Sequence, residues 1–348
     1  MRILTTLPQN DLNDVPAAVA AAEAAGYDGA LTMENRHEPF LALGVAATAS
    51  ARIELGTAVA IAFPRSPMVV ANAGWDLQTA SRGRFVLGIG PQIRPHIEKR
   101  FSAPWSAPAP RLREYVQALR AIWRSWETGE RLRFEGEHYT FTLMTPNFAP
   151  ASTGQPMVPI TIAAVGPHSL RLAGEVADGV RLHVFCTRRY LEEVCMPRML
   201  EGMARTGRRR ESFEVTGGGF IATGATDEEV AKAVEWVRYR VAFYGSTPGY
   251  WPVLDVHGLG DLGRKLNRMT KEGAWDRIAA EIDDDTVRLF AAVGRHDELE
   301  AAVDERFGGA ADTVYASLSM DMRPALPPDL IQDIRRLPAT FEGYATAW

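Results

Sequence analysis

Cysteine is scarce in this chain: Cys186 and Cys195 are the only two among 348 residues. A disulfide framework is excluded, and two reduced thiols are the simplest reading. Positive charge is not in excess either. Lys and Arg number 38 against 43 Asp and Glu, a net charge of −5. No basic surplus exists to follow a phosphate backbone, so nucleic acid is not expected as a partner. Long apolar runs are missing as well. The stretch at 40–49 is among the longest, about half the ~20 residues a bilayer span requires. No membrane association is expected. The start, Met1-Arg2-Ile3, turns polar at Thr5-Thr6 without a leader-like apolar stretch, and a cytoplasmic location is the expectation.

Several chemical signatures are absent. No G-x-G-x-x-G follows the first strand candidate, and Gly88-x-Gly90 has no third glycine. The simple Rossmann reading loses its support. There is no phosphate-loop G-x-x-x-x-G-K-[ST], no H-E-x-x-H and no G-x-S-x-G. The histidines, at 37, 96, 138, 168, 183, 257 and 296, are not paired at helical ligand spacing, and neither cysteine has a histidine at zinc spacing. No metal centre is expected.

What is present is an alternation of strand and helix. With 46% hydrophobic and 23% charged residues, the composition is globular. Strand candidates fall at 2–7, 28–32, 52–61, 84–90, 159–164, 179–183, 213–222 and 313–317. Amphipathic segments fall between most of them, the clearest at 111–128. There Leu112, Tyr115, Val116, Leu119, Ile122, Trp123 and Trp126 share one helical face. RLRFEGEHYTF, 131–141, alternates around Gly136 and reads as a β-hairpin insertion of about 131–143. Thr226 with Glu229 three later has capping-box spacing. The rhythm breaks over about 245–295, expected to be a helical excursion. Eight strands, each followed by a helix, make a (β/α)8 TIM barrel. The whole of 1–348 then reads as one barrel domain. A doubly wound open sheet is the alternative.

Barrel chemistry sits at the C-terminal ends of the strands. That filter selects Glu34, Asn35, Arg36, His37 and Glu38 after strand two, and Gln92 and His96 after strand four. It adds Gly166, His168 and Ser169 after strand five, His183 after strand six, and Ser317 and Ser319 after strand eight. Each has a plainer role open to it: Glu34 can pair with Arg36 or another base, and His37 can cap the following helix. Val165-Gly166-Pro167-His168-Ser169 joins a buried strand to a helix start. Gly admits close backbone approach, and free N–H groups at a helix N-terminus favour an anion such as phosphate. A tight turn capped by Ser169 is the equal alternative. Phe63, Trp105, Tyr250 and Trp251 could line an apolar pocket or simply pack.

IELGTAVAIAFPRSP, LQTASRGRFVLGIGPQ and PITIAAVGPHSLRLAGEVADGV together resemble the bacterial luciferase-like superfamily of flavin and deazaflavin oxidoreductases. GPQIRPHIEKRFSAPWSAPAPRLREYVQALRAIW is most similar to the actinobacterial branch that uses the deazaflavin coenzyme F420. The resemblance implies a barrel with its excursion between strands seven and eight, and a cofactor ring over the barrel mouth. It implies a non-proline cis peptide at Ala58–Val59. Cofactor contacts would fall to Ala58, Val59, Gly90, Gln92, His96, Val165, Gly166, Ser169 and His183, with the phosphate end at 165–169. Proton handling would fall to Glu34, Asn35 and His37, supported by His96 and His183. Many relatives have histidine directly after the acidic residue that ends strand two, where Asn35 stands here. Luciferases proper hold flavin phosphate with an arginine where this chain has Pro91. The implied activity is F420-dependent hydride transfer with a small organic substrate. An FMN-dependent monooxygenase is the alternative, and a non-catalytic flavin- or deazaflavin-binding protein the second. A homodimer is the implied assembly.

Overall fold

The computed structural model describes residues 1–316 and 326–348. The expected end of strand eight at Ser317, and Ser319 after it, lie outside the described residues. Eight parallel strand positions close on themselves: β1 (Arg2–Thr6), β2 (Gly29–Thr32), β3 (Glu54–Thr57, continued by Ala60–Ile61), β4 (Phe85–Gly90), β5 (Ile160–Ala164), β6 (Gly179–Leu182), β7 (Glu214–Gly217) and β8 (Thr313–Tyr315). Closure is direct, with β1 pairing β8 at Arg2 and Thr313. The two halves of β3 flank a cis peptide at Ala58–Val59, where the resemblance put one.

Alternation along the strands separates two cores. Ile3, Leu55, Leu87, Ile89, Ile160, Ile162, Val180, Val215 and Val314 belong to the large cluster shared with the surrounding helices. Leu4, Leu31 and Tyr315 form a separate small cluster with Ala58 packed on it, as expected of the lumen face of strands with a two-residue period. Helices between the strands begin and end on local signals. Ser66 caps Pro67–Ala80 through Met68 N–H, and Gly26 ends Val15–Ala25 in the left-handed region. Thr226 accepts from Glu229 N–H, and the Glu229 carboxylate accepts from Ala225 N–H, so the reciprocal bond sits one residue before the ideal capping box.

The lumen is polar below. Arg2 bridges Glu54 (2.7 Å) and Glu214 (2.5 Å), and Thr313 Oγ1 donates to Glu214 at 2.6 Å. The Tyr344 hydroxyl also donates to Glu214, so the chain's last residues close this end. Arg181, on β6, is buried among these strands. A Cβ on Gly88 of β4 would come within 2.8 Å of its Nε and 2.0 Å of the Thr57 carbonyl, and one on Gly56 of β3 within 3.3 Å of its terminal nitrogen. The arginine therefore crosses the lumen from β6 to β3 and β4, and Gly88 leaves the room it needs. Gly88→Ala is expected to destabilise the fold by about 3 kcal/mol, the upper end of overpacking costs, because backbone must yield. Chemical denaturation measures this, and an unchanged midpoint would mean the strands shift freely.

Two differences from the sequence reading concern the seventh unit. The segment 213–222, expected to be one strand, is two. β7 stops at Gly217, and Gly217 and Gly218 take φ of +87° and +92°, which only glycine adopts without strain. The chain is thereby redirected, and Phe220–Gly224 leaves the barrel to pair in parallel with Ala291–Arg295. The stretch expected to be helical contains Trp251–Asp255, Gly260–Lys271 and Asp284–Phe290, but ends in that strand. Its partner lies some seventy residues earlier, so local pattern alone did not reveal it. In the earlier insertion, Phe134–Glu135 pairs antiparallel with Thr140–Phe141.

Candidate active site at the barrel mouth

The C-terminal ends of β3, β4 and β5 make a floor of small side chains. Ala58 and Val59 at the cis bond are partly exposed, as is Ala163. A Cβ on Gly90 would meet Val59 Cγ2 at 3.0 Å and Ala163 Cβ at 3.2 Å, so these three positions are contiguous. Gln92, just beyond, has φ +57° and its side-chain oxygen accepts from Ile93 N–H. His96 is exposed in the first turn of the segment His96–Arg100.

His183 stands at the end of β6. Its Nδ1 accepts the Phe185 N–H at 3.0 Å, which places the ring proton on Nε2. The ring stacks on Tyr250 (4.6 Å, 26°) and meets Tyr244 edge-on at 4.5 Å. Tyr250 comes from the excursion between β7 and β8, and Tyr244 from the helix Asp227–Gly245 that precedes it. Burial pushes the His183 pKa down from 6.5 to about 4. Between those values the unfolded chain binds the proton and the folded one does not, so this group makes stability fall as pH drops from 6.5 toward 4. His183→Gln is expected to flatten that part of the profile. Thermal unfolding of both proteins at pH 7, 6, 5 and 4.5 tests it, and parallel slopes would contradict the burial argument.

Glu34 is held firmly. Its carboxylate accepts the Ile61 N–H at 2.7 Å and pairs with Arg65 at 2.7 Å, and its side chain is only 5% exposed. Arg65 also donates to the Ile61 carbonyl, approaches Glu38 at 3.6 Å and lies 5.8 Å over the Phe40 ring. The partner is thus Arg65, not Arg36, and the pair ties the end of β2 to the second half of β3. Sequence reasoning missed Arg65; its only signal was a cation in the loop FPRSP after the expected strand three. Asn35 is exposed, its side chain bonded to Arg36 N–H and its carbonyl accepting from Arg100. His37 is exposed with Nε2 3.1 Å from the Asn10 side-chain oxygen. It does not cap the next helix; the Glu38 carboxylate accepts the Phe40 and Leu41 N–H groups instead.

After β5, Gly166 is the N-cap of Pro167–Val176, and among the described residues no side chain caps this helix. Ser169 Oγ donates to the Gly166 carbonyl (2.9 Å) rather than accepting from the first-turn N–H groups, and the Tyr190 hydroxyl donates to the Val165 carbonyl. Among the described residues a Cβ on Gly166 would meet nothing within 4 Å. An uncapped helix start with open space before it can receive an anion. Of the four aromatics singled out from sequence, Tyr250 reaches the mouth through His183. Phe63 and Trp105 pack edge-on at 5.9 Å, and Trp251 donates to the Gly245 carbonyl. Glu137 and His138 of the hairpin cluster with Glu114 of the helix Pro108–Thr128, but Glu114 already accepts the N–H groups of Glu137, His138 and Tyr139.

A floor of small side chains, a wall of His183 and two tyrosines, and a bare helix N-terminus fit a planar ring with a phosphate-bearing tail. Comparison with known proteins agrees with this class. The family model for luciferase-like monooxygenases matches residues 2–313. The chain belongs to the luciferase-like monooxygenase family. It is 48% identical over 327 residues to the uncharacterized protein Rv1360 of Mycobacterium tuberculosis, covering 94% of this chain and 96% of that one. It is 29% identical over 296 residues to 5,10-methylenetetrahydromethanopterin reductase of Archaeoglobus fulgidus, covering 82% and 84%. The fold is similar to that of the coenzyme F420-dependent tetrahydromethanopterin reductase of Methanopyrus kandleri, with TM-score 0.77, 19% identity and 97% of each chain covered. It is also similar to the oxygenating constituent of 3,6-diketocamphane monooxygenase of Pseudomonas putida in complex with FMN, with TM-score 0.64, 17% identity and 99% of each chain covered.

Proposed function

We propose that this protein is a coenzyme F420-dependent oxidoreductase acting on a small organic substrate. The observation that carries the reading is the pairing of an uncapped helix start at Gly166 with Pro91, partly buried after β4, where luciferases proper place a phosphate-holding arginine. An uncapped helix start is available to an anion, while the arginine that favours tight flavin mononucleotide binding is replaced by proline. The Archaeoglobus and Methanopyrus reductases support the same reading.

The bound deazaflavin would supply hydride exchange, with little reactivity toward oxygen. This chain's residues would do the rest. Ala58, Val59, Gly90 and Ala163 would form a flat bed for the ring. The N–H groups after Gly166, with Val165 and Ser169 beside them, would hold the phosphate end. Gln92, His96 and His183 would complete the contacts, with His183 offering its Nε2–H. Glu34, Asn35 and His37 would govern proton movement. Of these Glu34 is fixed by Arg65 and serves as an acceptor of set position, whereas His37 is exposed and can exchange protons with solvent. A cytoplasmic homodimer belongs to this reading.

Titration of the purified protein with F420 and with flavin mononucleotide, by fluorescence at fixed salt, is expected to give the tighter binding to F420. Tighter binding of flavin mononucleotide would put an oxygen-using monooxygenase in its place.

A further inference from the structure

Arg181 is used by nothing described so far. Its side chain spans the lumen beneath the floor of the mouth, against Gly56 and Gly88, and is 3% exposed. Its guanidinium interacts with the Tyr315 oxygen, and among the described residues the buried hydroxyls of Thr161 and Thr216 on the flanking strands have no hydrogen-bond partner. By register Arg181 lies beside Ala163, a residue of the floor, on one side and Thr216 on the other. Gly88, which it touches, is two residues before Gly90, also of the floor.

The charges below it are ordered along the barrel axis. Glu54 and Glu214 lie at the far end, bridged by Arg2, and Arg181 stands between them and the mouth. Burial works against its charge, but the Tyr315, Glu214 and Tyr344 oxygens outweigh burial and keep it protonated. The lumen therefore presents the positive end of a buried ionic array to whatever rests on the floor. In a site shielded from water such a field acts at greater range than it would at the surface.

We propose that Arg181 makes the barrel mouth selective for a ring in its ionised, negatively charged form. The inference rests on the reading of the mouth as a deazaflavin site, and goes beyond it by assigning the charge state of the occupant and the residue that sets it. Arg181 acts through the floor and contacts no occupant, so its effect is electrostatic and requires no donor at the ring.

The test uses F420, whose ring hydroxyl changes the visible absorbance when it ionises. Absorbance is followed against pH with the cofactor free and with the cofactor saturated by protein. Bound to the parent protein, the hydroxyl is expected to ionise about tenfold more readily than in the free cofactor. This is the size expected of one unit charge a layer of side chains away at an effective dielectric of about 20. Arg181→Met should abolish the shift, and Arg181→Lys should retain most of it. If Arg181→Met does not fold, the double variant Arg181→Met with Glu214→Gln removes a balanced pair and serves for the same measurement. A folded charge-removing variant with the parent's shift overturns the inference and leaves the functional reading standing. A parent protein that binds F420 without any shift does the same. A parent that binds no F420 overturns the functional reading, and the inference with it.

Discussion

Gly166→Asp should leave the protein as stable as its parent, or slightly more so, while lowering affinity for a phosphate-bearing cofactor by about a hundredfold or more. Both halves come from the same geometry. Gly166 has φ −89° and ψ 164°, a conformation open to any residue, and no described residue lies within 4 Å of its Cβ position. Asp is among the preferred N-cap residues, since its carboxylate can accept the first-turn N–H groups that no side chain satisfies here. The same carboxylate would occupy the place proposed for the phosphate. It would consume the free donors and repel a second anion in a partly dry site by several kcal/mol. The measurements are thermal unfolding of the apo-protein and titration with F420. Unchanged affinity in a folded variant would show that the phosphate lies elsewhere. Loss of stability would show that the helix start is not the open N-terminus described.

The end of β2 should govern turnover more than binding. His37→Ala or Glu34→Gln, or both, is expected to lower kcat and kcat/KM together by about 10²–10⁴-fold, with cofactor affinity little changed. The two variants differ in what else they disturb. His37 is exposed and, among the described residues, bonded only to the side chain of Asn10, so its removal should not affect stability. Glu34 is buried and paired with Arg65. Glu34→Gln leaves that cation facing Glu38 at the longer distance of 3.6 Å as its carboxylate, and a stability loss should accompany any rate loss. A single-turnover oxidation of bound reduced cofactor by an accepted substrate separates chemistry from binding. If both variants react at the parent rate, proton handling passes to His96, His183 or the substrate itself.

The two ends of the candidate site differ in how far the sequence exposed them. Val165 to Ser169 is a local structure: a strand, a glycine, a proline at the first helical position. Nothing distant is needed to make that helix start, so its residues were legible together. Ser169 alone turned out differently, bonding back to the Gly166 carbonyl instead of capping the helix. The β2 end was legible only as a cluster of polar residues. Its actual partner, Arg65, lies thirty-one residues further on, and the two meet because β2 and β3 pair in register. Likewise His183 could be placed at a strand end, but Tyr244 and Tyr250 meet it only because the helix Asp227–Gly245 and the segment that follows it pack against the end of β6.

The sequence by itself determined the eight barrel strand positions and most of the helices between them. Period-two and period-3.6 patterns, helix caps and glycine stops act over a few residues, and they suffice to set out eight strands and the helices between them. Tertiary structure alone decided where the seventh unit leaves the barrel, since Gly217 and Gly218 allow the turn but the pairing of Phe220–Gly224 with Ala291–Arg295 directs it. It alone decided the lumen charges too. Within its own strand Arg181 is one cation between two apolar neighbours. Closure of the sheet brings β6 opposite β3 and β4, and only then does that side chain cross beneath the floor of the site. Local sequence fixes which way a strand's side chains alternate, whereas the groups they meet across a closed barrel depend on every strand between them.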